Sequence, residues 1–584
     1  MLDCVIRGGS LVDGTGAPAR PADVGIRDGR IVEIGNIKDD AAETIDAGGL
    51  VVAPGFVDPH THYDAQLFWD AAATPSNLHG VTSMIAGNCG FTLAPLHAPD
   101  ADYLRRMMAK VEGMPLPALE TGVPWGWESF GDYLGALDGH VGLNVGFLVG
   151  HCAIRRNVMG ADAVGNEATA EQLAAMEALL DASIAAGGLG FSTTLSFTHS
   201  DGDGRPVASR WASNDEVLAL CRAVGEHEGT TLEYVTDGCL RGFTDAEVEL
   251  MAEMTLAGRR PLNWNVLTID SREPQRYHDQ IGACENARAR GGTVIALTMP
   301  TLVEMNMSFL NYCALFMMPG WSDVMNLPVP ERMAKLRDPS VRAWMDERAR
   351  SPEAGVFSRL ASWGRYQIGD TYSDANAGLK GKVVADLARA SGKSEFDTLV
   401  DIVLADELRT VLWPLPSDAD DGSWKMRAEA WNHPLVMIGG SDAGAHLDRM
   451  CGAPYPTAFL ADCIRGRQLV SMERCVQLMT QVPASLFGLR DRGLVQEGGH
   501  ADLFIFDPAA VDASEVRLVD DLPGGTARLF AEAVGVKRVI VNGTTIVVDG
   551  EPTGARPGTV LRSGRDTYTV PIPADGGGGR SFAN

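Results

Sequence analysis

The chain lacks any cysteine spacing that would mark a thiolate knuckle or a disulfide framework. Its ten cysteines (Cys4, Cys89, Cys152, Cys221, Cys239, Cys284, Cys313, Cys451, Cys463 and Cys475) are scattered, and no Cys-x-x-Cys pair occurs. The opening Met1-Leu-Asp-Cys-Val-Ile-Arg-Gly-Gly9 has no charged leader followed by an apolar run, so no secretory signal is expected. The cysteines then read as free thiols of a reducing cytoplasm. No run of about 18 uninterrupted apolar residues occurs, so no membrane span is expected. Positive charge is short as well: 49 Lys and Arg face 76 Asp and Glu, a net −27. That balance argues against nucleic acid or an anionic membrane as partner. It leaves a soluble enzyme with a small-molecule substrate, because a local basic pocket can coexist with an acidic surface. An apolar fraction of 45% is ordinary and supports a large core without staples.

What the sequence does have is concentrated in Pro54-Gly-Phe-Val-Asp-Pro-His-Thr-His62. It reads as a strand, Leu50 to Val57, ending in a His-x-His pair. Strand side chains alternate faces, so His60 and His62 would point the same way. Two neutral imidazoles side by side suit a divalent metal such as zinc. Alone, such a pair reads more readily as two unrelated polar residues at a strand end; the later chain decides.

Residues 3–52 alternate short β runs with turns, and Asp28-Gly29 between two such runs is a hairpin signal. Matching strands return at Ala501–Asp507, Val536–Gly543 and Thr544–Gly550. A small β-sandwich of residues 1–52 plus 487–570, built from both termini, is therefore expected, with 571–584 as a tail. Between them, 53–486 alternates strand and helix. Further strands are expected at 82–90, 142–151, 188–193, 230–235, 261–267, 292–297 and 435–442. Helical stripes run from Ala168 to Ala186, Asn214 to Glu228 and Asp245 to Leu256, with Asn214 and Thr244 as expected N-caps. The fold class is α/β, a (β/α)8 TIM-like barrel. One spacing is anomalous. Residues 302–430 exceed a helix and a loop, begin Met-rich (Met305, Met307, Met317, Met318, Met325) and turn helical from about Lys380 to Leu408. This insertion reads either as a lid or pocket wall or as a self-packed subdomain.

In a (β/α)8 barrel, chemistry sits at the strand C-terminal ends. His60 and His62 end the first strand, Cys89 the second and Asp442 the eighth. A Cys89 thiolate is a good zinc ligand. The Asp442 carboxylate, beside a metal-bound water, can take its proton and later return one to a leaving amine. Singly, Cys89 reads as buried filler and Asp442 as a helix N-cap; together at one mouth they read as a metal centre.

These motifs resemble the amidohydrolase superfamily and, within it, the N-acyl-D-amino-acid deacylase (D-aminoacylase) group. The resemblance is carried by Pro54–Asp64, Gly80–Gly90, Val149–Gly160, Gly188–Leu195, Gly439–Asp442 and Gly499–Asp507, and covers almost the whole chain. It implies zinc-dependent hydrolysis of an N-acyl bond, with Asp442 as general base and then acid, and a homo-oligomer. The chain departs from the group's pattern at two points. The resemblance implies a metal-binding His at the ends of strands five and six. Strand five here reads Thr231-Leu-Glu-Tyr-Val-Thr-Asp237, and Asn265 stands in strand six. Either Glu233 or Asp237, with Asn265, supplies oxygen ligands, or a single metal remains on His60, His62, Asp442 and Cys89. Softer candidates for substrate contact are His446, Arg449, His151 and His199; His433 reads as structural. Other bonds open to the same chemistry are a cyclic amide, a carbamate or a lactone. A different class is a non-catalytic barrel scaffold.

Overall fold

The computed structural model describes residues 1–573; residues 574–584 of the expected tail lie outside the described residues. The chain divides into two compact units, Met1–Thr301 with Asp420–Asn584, and Leu302–Ala419.

The first unit holds a run of parallel strands. Phe56–Asp58 pairs with Val81–Ala86, and that with Asn144–Phe147. The third strand is interrupted at Leu148 and resumes as Val149–Gly150, which pairs with Gly190–Thr194. Thr231–Val235, Leu262–Asn265, Val294–Thr298 and Val436–Ile438 follow in the same parallel sense. All these strands are buried along their length, the pattern of a parallel sheet covered by helices. Ala170–Ala185 and Asp245–Gly258 each start in a capping box, Thr169 with Gln172 and Thr244 with Glu247. Asn214–Val224 is capped by Ser213 rather than by Asn214, because Ser213 has the extended backbone a cap requires and accepts from Glu216 N–H.

The expected strand Leu50–Val57 is two strands. Val51–Pro54 pairs with Leu503–Phe506, and Phe56–Asp58 starts the parallel run. Gly55 sits at the crossing, where a Cβ would come within 2.1 Å of the Thr82 side chain. Only glycine lets the chain pass there. His60 and His62 consequently lie in the loop beyond the strand, so strand alternation does not aim them. Backbone bonds do: Thr61 N–H to Ile85 O at 2.9 Å, His62 N–H to Ala443 O at 2.7 Å and Asp442 N–H to His60 O at 3.2 Å.

The termini meet in one nine-stranded sheet, five strands from Leu2–Pro54 and four from Leu503–Pro552, within the same compact unit as the parallel strands. Its core includes Ile6, Val24, Ile26, Ile31, Val52, Leu503, Ile505 and Ile540. Burying each of these side chains contributes about 1.5–3 kcal/mol. Asp28 and Gly29 both take positive φ, 51° and 72°, giving the tight hairpin turn between Arg27 and Arg30.

The second unit has its own apolar core. Met307, Phe309, Phe316, Met318 and Met325 pack there with Trp321, Trp363 and Phe396. The methionine-rich run thus packs inward within its own unit. The helical stretch is two helices, Val384–Ser391 and Glu395–Ala405, the first ended by Gly392 at φ 69°. Among the described residues no helix is long and apolar enough to cross a membrane.

Candidate metal centre

The loop after the first strand and the loop after the eighth are stapled together. Asp58 accepts N–H bonds from its own loop at His60 and from Ser441 across the gap, at 3.4 and 3.3 Å. Gly444 takes φ 92°, and a Cβ there would strike the His62 carbonyl at 2.4 Å. From the second strand, the Asn88 amide donates to Thr61 O and Ile85 O at 3.1 and 3.0 Å. Three loops are thereby fixed around two imidazoles.

The Nε2 atoms of both histidines converge on Asp442 Oδ1, at 3.6 Å from His60 and 3.1 Å from His62. Cys89 Sγ lies 3.5 Å from His60 Nε2 and 3.8 Å from His62 Nε2. Asp442 and Cys89 both stand at positive φ, 56° and 58°. Such backbone is uncommon for these residue types and concentrates at functional sites. The Asp442 side chain is 27% exposed while the imidazoles are buried, so the carboxylate is the part of the cluster that solvent reaches.

Glu112 completes this cluster and is not marked by any sequence motif. Its carboxylate is buried and lies 3.6 Å from His62 Nε2. Asp58 and Asp64 flank the His-x-His pair and are also fully buried. Their places on either side of that pair were the one signal that could have singled them out.

The charges are those of a cation site. Burial pushes Glu112 and Glu233 up to about 8, and Asp58 and Asp64 to about 6. Burial pulls His60 down to about 3, helped by His62. Burial acts downward on His62 too, but Glu112, Asp442 and Asp64 outweigh it and hold that imidazole at about 10. Burial likewise works against the Asp442 carboxylate, yet His62, His446 and His60 keep it well below the usual carboxylate range. At neutral pH Glu112 and Glu233 hold their protons, while the Asp58, Asp64 and Asp442 carboxylates outnumber the one charged imidazole, a negative excess that a divalent cation would balance. The donor chemistry fits a zinc-type ion: imidazole nitrogens, a thiol and carboxylate oxygens, 3.1 to 3.8 Å apart. Edges of a tetrahedron with bonds of ~2.0–2.3 Å span about 3.3–3.8 Å.

The fifth and sixth strands behave differently. Glu233 Oε2 accepts the Cys89 N–H at 2.9 Å, and its other oxygen accepts the Asn265 amide. Asn265 Oδ1 in turn accepts from Asn263 at 3.2 Å. Asp237 is turned away: it accepts the Phe197 N–H at 2.7 Å and pairs with Arg241.

The softer candidates separate. His446 Nε2 lies 3.6 Å from Asp442 Oδ2. Arg449 is buried beside it, with Nε 3.3 Å from Asp448. His199 accepts or donates at Thr194 Oγ1, 2.8 Å away, and rests its ring 5.1 Å from Phe91. Burial, with His62 and His446 nearby, pushes it down to about 3. His151 is not available to a substrate. It is fully buried at a helix start, with Thr193 Oγ1 and Glu216 Oε1 each 2.8 Å from its two ring nitrogens. His433 accepts the Leu435 N–H at 3.3 Å, away from the cluster.

Residues 43–547 match the sequence profile of the Amidohydrolase family. The N-acyl-D-aspartate deacylase of Alcaligenes xylosoxydans xylosoxydans is 32% identical over 574 residues, 96% of this chain and 95% of that one. A solved D-aminoacylase, described for the functional role of its binuclear metal centre, one-metal activation and second-metal attenuation, is 27% identical. It superimposes with a TM-score of 0.64 over 96% of this chain and 100% of its own. The N-acyl-D-glutamate deacylase of Bordetella bronchiseptica, solved with zinc and a phosphonate mimic of the tetrahedral intermediate, gives a TM-score of 0.63 at 26% identity, covering 96% and 100%. The chain belongs to the amidohydrolase family.

Proposed function

We propose that this chain hydrolyses the C–N amide bond of an N-acyl-D-amino acid, releasing a carboxylic acid and the free amino acid. The observation that carries the reading is the convergence of His60 Nε2 and His62 Nε2 on Asp442 Oδ1. Similarity to deacylases of N-acyl-D-aspartate and N-acyl-D-glutamate supplies the substrate class. The same reading closes the eight parallel strands into a (β/α)8 barrel with the site at the strand C-terminal ends. The bonds between the first and eighth loops support that closure. It also takes the protein as a cytoplasmic homo-oligomer, in keeping with ten free cysteines.

His60, His62, Cys89 and Asp442 would hold a zinc ion, whose chemistry when bound is to lower the pKa of water toward ~7 and to polarise a carbonyl. Asp442 is ionised and partly exposed. It accepts a proton from the attacking water through one oxygen and delivers a proton to the departing amine nitrogen. His446, facing the other oxygen of Asp442, donates to the oxyanion that develops on the substrate carbonyl. Arg449, on the same loop, holds the substrate carboxylate as a bidentate partner. His199 lines the side of the site beside Phe91.

The test is a hydrolysis screen on N-acyl-D- and N-acyl-L-amino acids with wild type and Asp442→Asn. The expected result is chelator-sensitive release of D-amino acids that the variant loses while its circular dichroism is unchanged. A metal-free protein indifferent to chelators would contradict it, as would undiminished turnover in the variant.

A further inference from the structure

We infer that the centre takes one ion rather than two and that Glu112 is one of its ligands. This rests on the metal-dependent reading above and goes beyond it, since neither the motifs nor the relatives' names assign a role to Glu112.

The donors fall into two overlapping sets, His60 with His62 and Cys89, and His62 with Glu112 and Asp442. Both sets use His62. An imidazole nitrogen that binds a metal offers one lone pair. The two sets therefore cannot both be filled at once, and His60 Nε2 lies 3.6 Å from Asp442 Oδ1, so they overlap in space as one centre. A second ion would need donors from the fifth and sixth strands. Those strands carry no histidine. Among the described residues, Glu233 belongs to no trio of donors close enough to share an ion. Each of its oxygens already accepts an N–H, from Cys89 and from Asn265. Its work is to position Cys89.

Glu112 is the opposite case. Its side chain is 4% exposed, and its carboxylate lies 3.6 Å from His62 Nε2 and within reach of Asp442. No described N–H or O–H donates to it. A buried carboxylate without donors is costly unless a proton or a cation compensates it, and a ligating position lets a cation displace the proton. Its place is also fixed. The helix Ala101–Val111 ends at Glu112, and the Glu112 carbonyl accepts the His446 N–H. Gly113 follows at φ 57°, so close to the Asp442 loop that a Cβ would meet Arg449 at 2.6 Å and His446 at 3.1 Å. The turn that carries Glu112 is thus locked to the loop that carries Asp442.

The experiment is metal analysis of the purified full chain by inductively coupled plasma mass spectrometry, with zinc affinity measured by chelator competition. Wild type should carry one ion per chain. Glu112→Gln should lose affinity at least ~10–100-fold, the range already seen when only supporting partners of ligands are removed. Glu112→Asp should recover part of it. Glu233→Gln should keep one ion per chain. Circular dichroism of each variant separates ligand loss from misfolding. Two ions per chain, or wild-type affinity in Glu112→Gln, overturns the inference while leaving metal-dependent hydrolysis standing. A wild-type protein that binds no metal overturns both.

Discussion

Glu112 and Glu233 are both buried glutamates pushed up to about 8 by burial, yet they face the site in opposite ways. Glu233 has donors on both oxygens; Glu112 has an imidazole beside it and no donor. The contrast extends to the two halves of the site. The side formed by the first, second and eighth loops leaves imidazole, thiol and carboxylate atoms in two overlapping sets that share His62. The side formed by the fifth and sixth strands is closed on itself by Glu233, Asn265 and Asn263. Burial alone therefore does not identify a ligand. What distinguishes one is burial without a hydrogen-bond donor beside other metal-ligating atoms, because a cation can then take the place of the proton that otherwise offsets the desolvation.

The sharpest way to break this contrast is at Asp442. Asp442→Asn keeps size and backbone but removes the proton acceptor. Turnover should fall by about 10³-fold with zinc kept saturating, within the range for loss of a general base. Steady-state kinetics on the best N-acyl-D-amino acid decides it; a loss under tenfold would remove Asp442 from that role. Arg449→Ala comes next. Losing a charge-assisted pair should raise KM roughly 10-fold or more with a smaller change in kcat. A change in kcat alone would argue that Arg449 does not hold the substrate.

Glu233→Gln should act first on the fold and on the metal only through the position of Cys89. An amide cannot accept at both positions, so either Cys89 N–H or Asn265 meets a donor. The cost is about 1–3 kcal/mol of stability, read by urea unfolding. Paired with Glu112→Gln, which removes a ligand, Glu233→Gln should show the smaller loss of zinc affinity and the larger loss of stability. If both lower zinc affinity equally, the distinction between the halves fails.

Much of the active half was legible in the sequence because its chemistry is written in residue types: His60, His62 and Cys89 stand in short motifs, and Asp442 follows Gly439-Gly-Ser. Their geometry was not. The pair was expected on a strand, but Gly55 divides that strand, and backbone bonds to Ile85 and Ala443 aim the histidines instead. Glu112 was invisible because an isolated Glu-Gly after a helix carries no chemical signature; only the contact of Gly113 with the Asp442 loop brings it in. His151 misled for a related reason. A histidine after a strand looks available, and nothing local announces that Thr193 and Glu216 take both ring nitrogens.

A smaller effect lies outside both halves and serves as a control. His79 is buried between Thr457 Oγ1 at 2.6 Å and Ala531 O at 3.1 Å. Burial lowers it from 6.5 to about 4, with the Ala531 bond opposing. Its folded value lies below its unfolded one, so the unfolded chain takes the proton first. Stability is unaffected above about pH 6.5 and falls as pH drops toward 4. By pH 5.5 the loss should be about 1 kcal/mol. Urea melts from pH 7.5 to 5.5 should show this slope in wild type and a flatter one in His79→Gln; equal slopes would count against it.

The most direct measurement for the whole account is anomalous diffraction at the zinc edge from crystals of the metal-loaded protein. The prediction is one peak per chain, within bonding distance of His60 Nε2 or His62 Nε2, of Asp442 and of Glu112. Two peaks, or a single peak against Glu233 and Asn265, would contradict it.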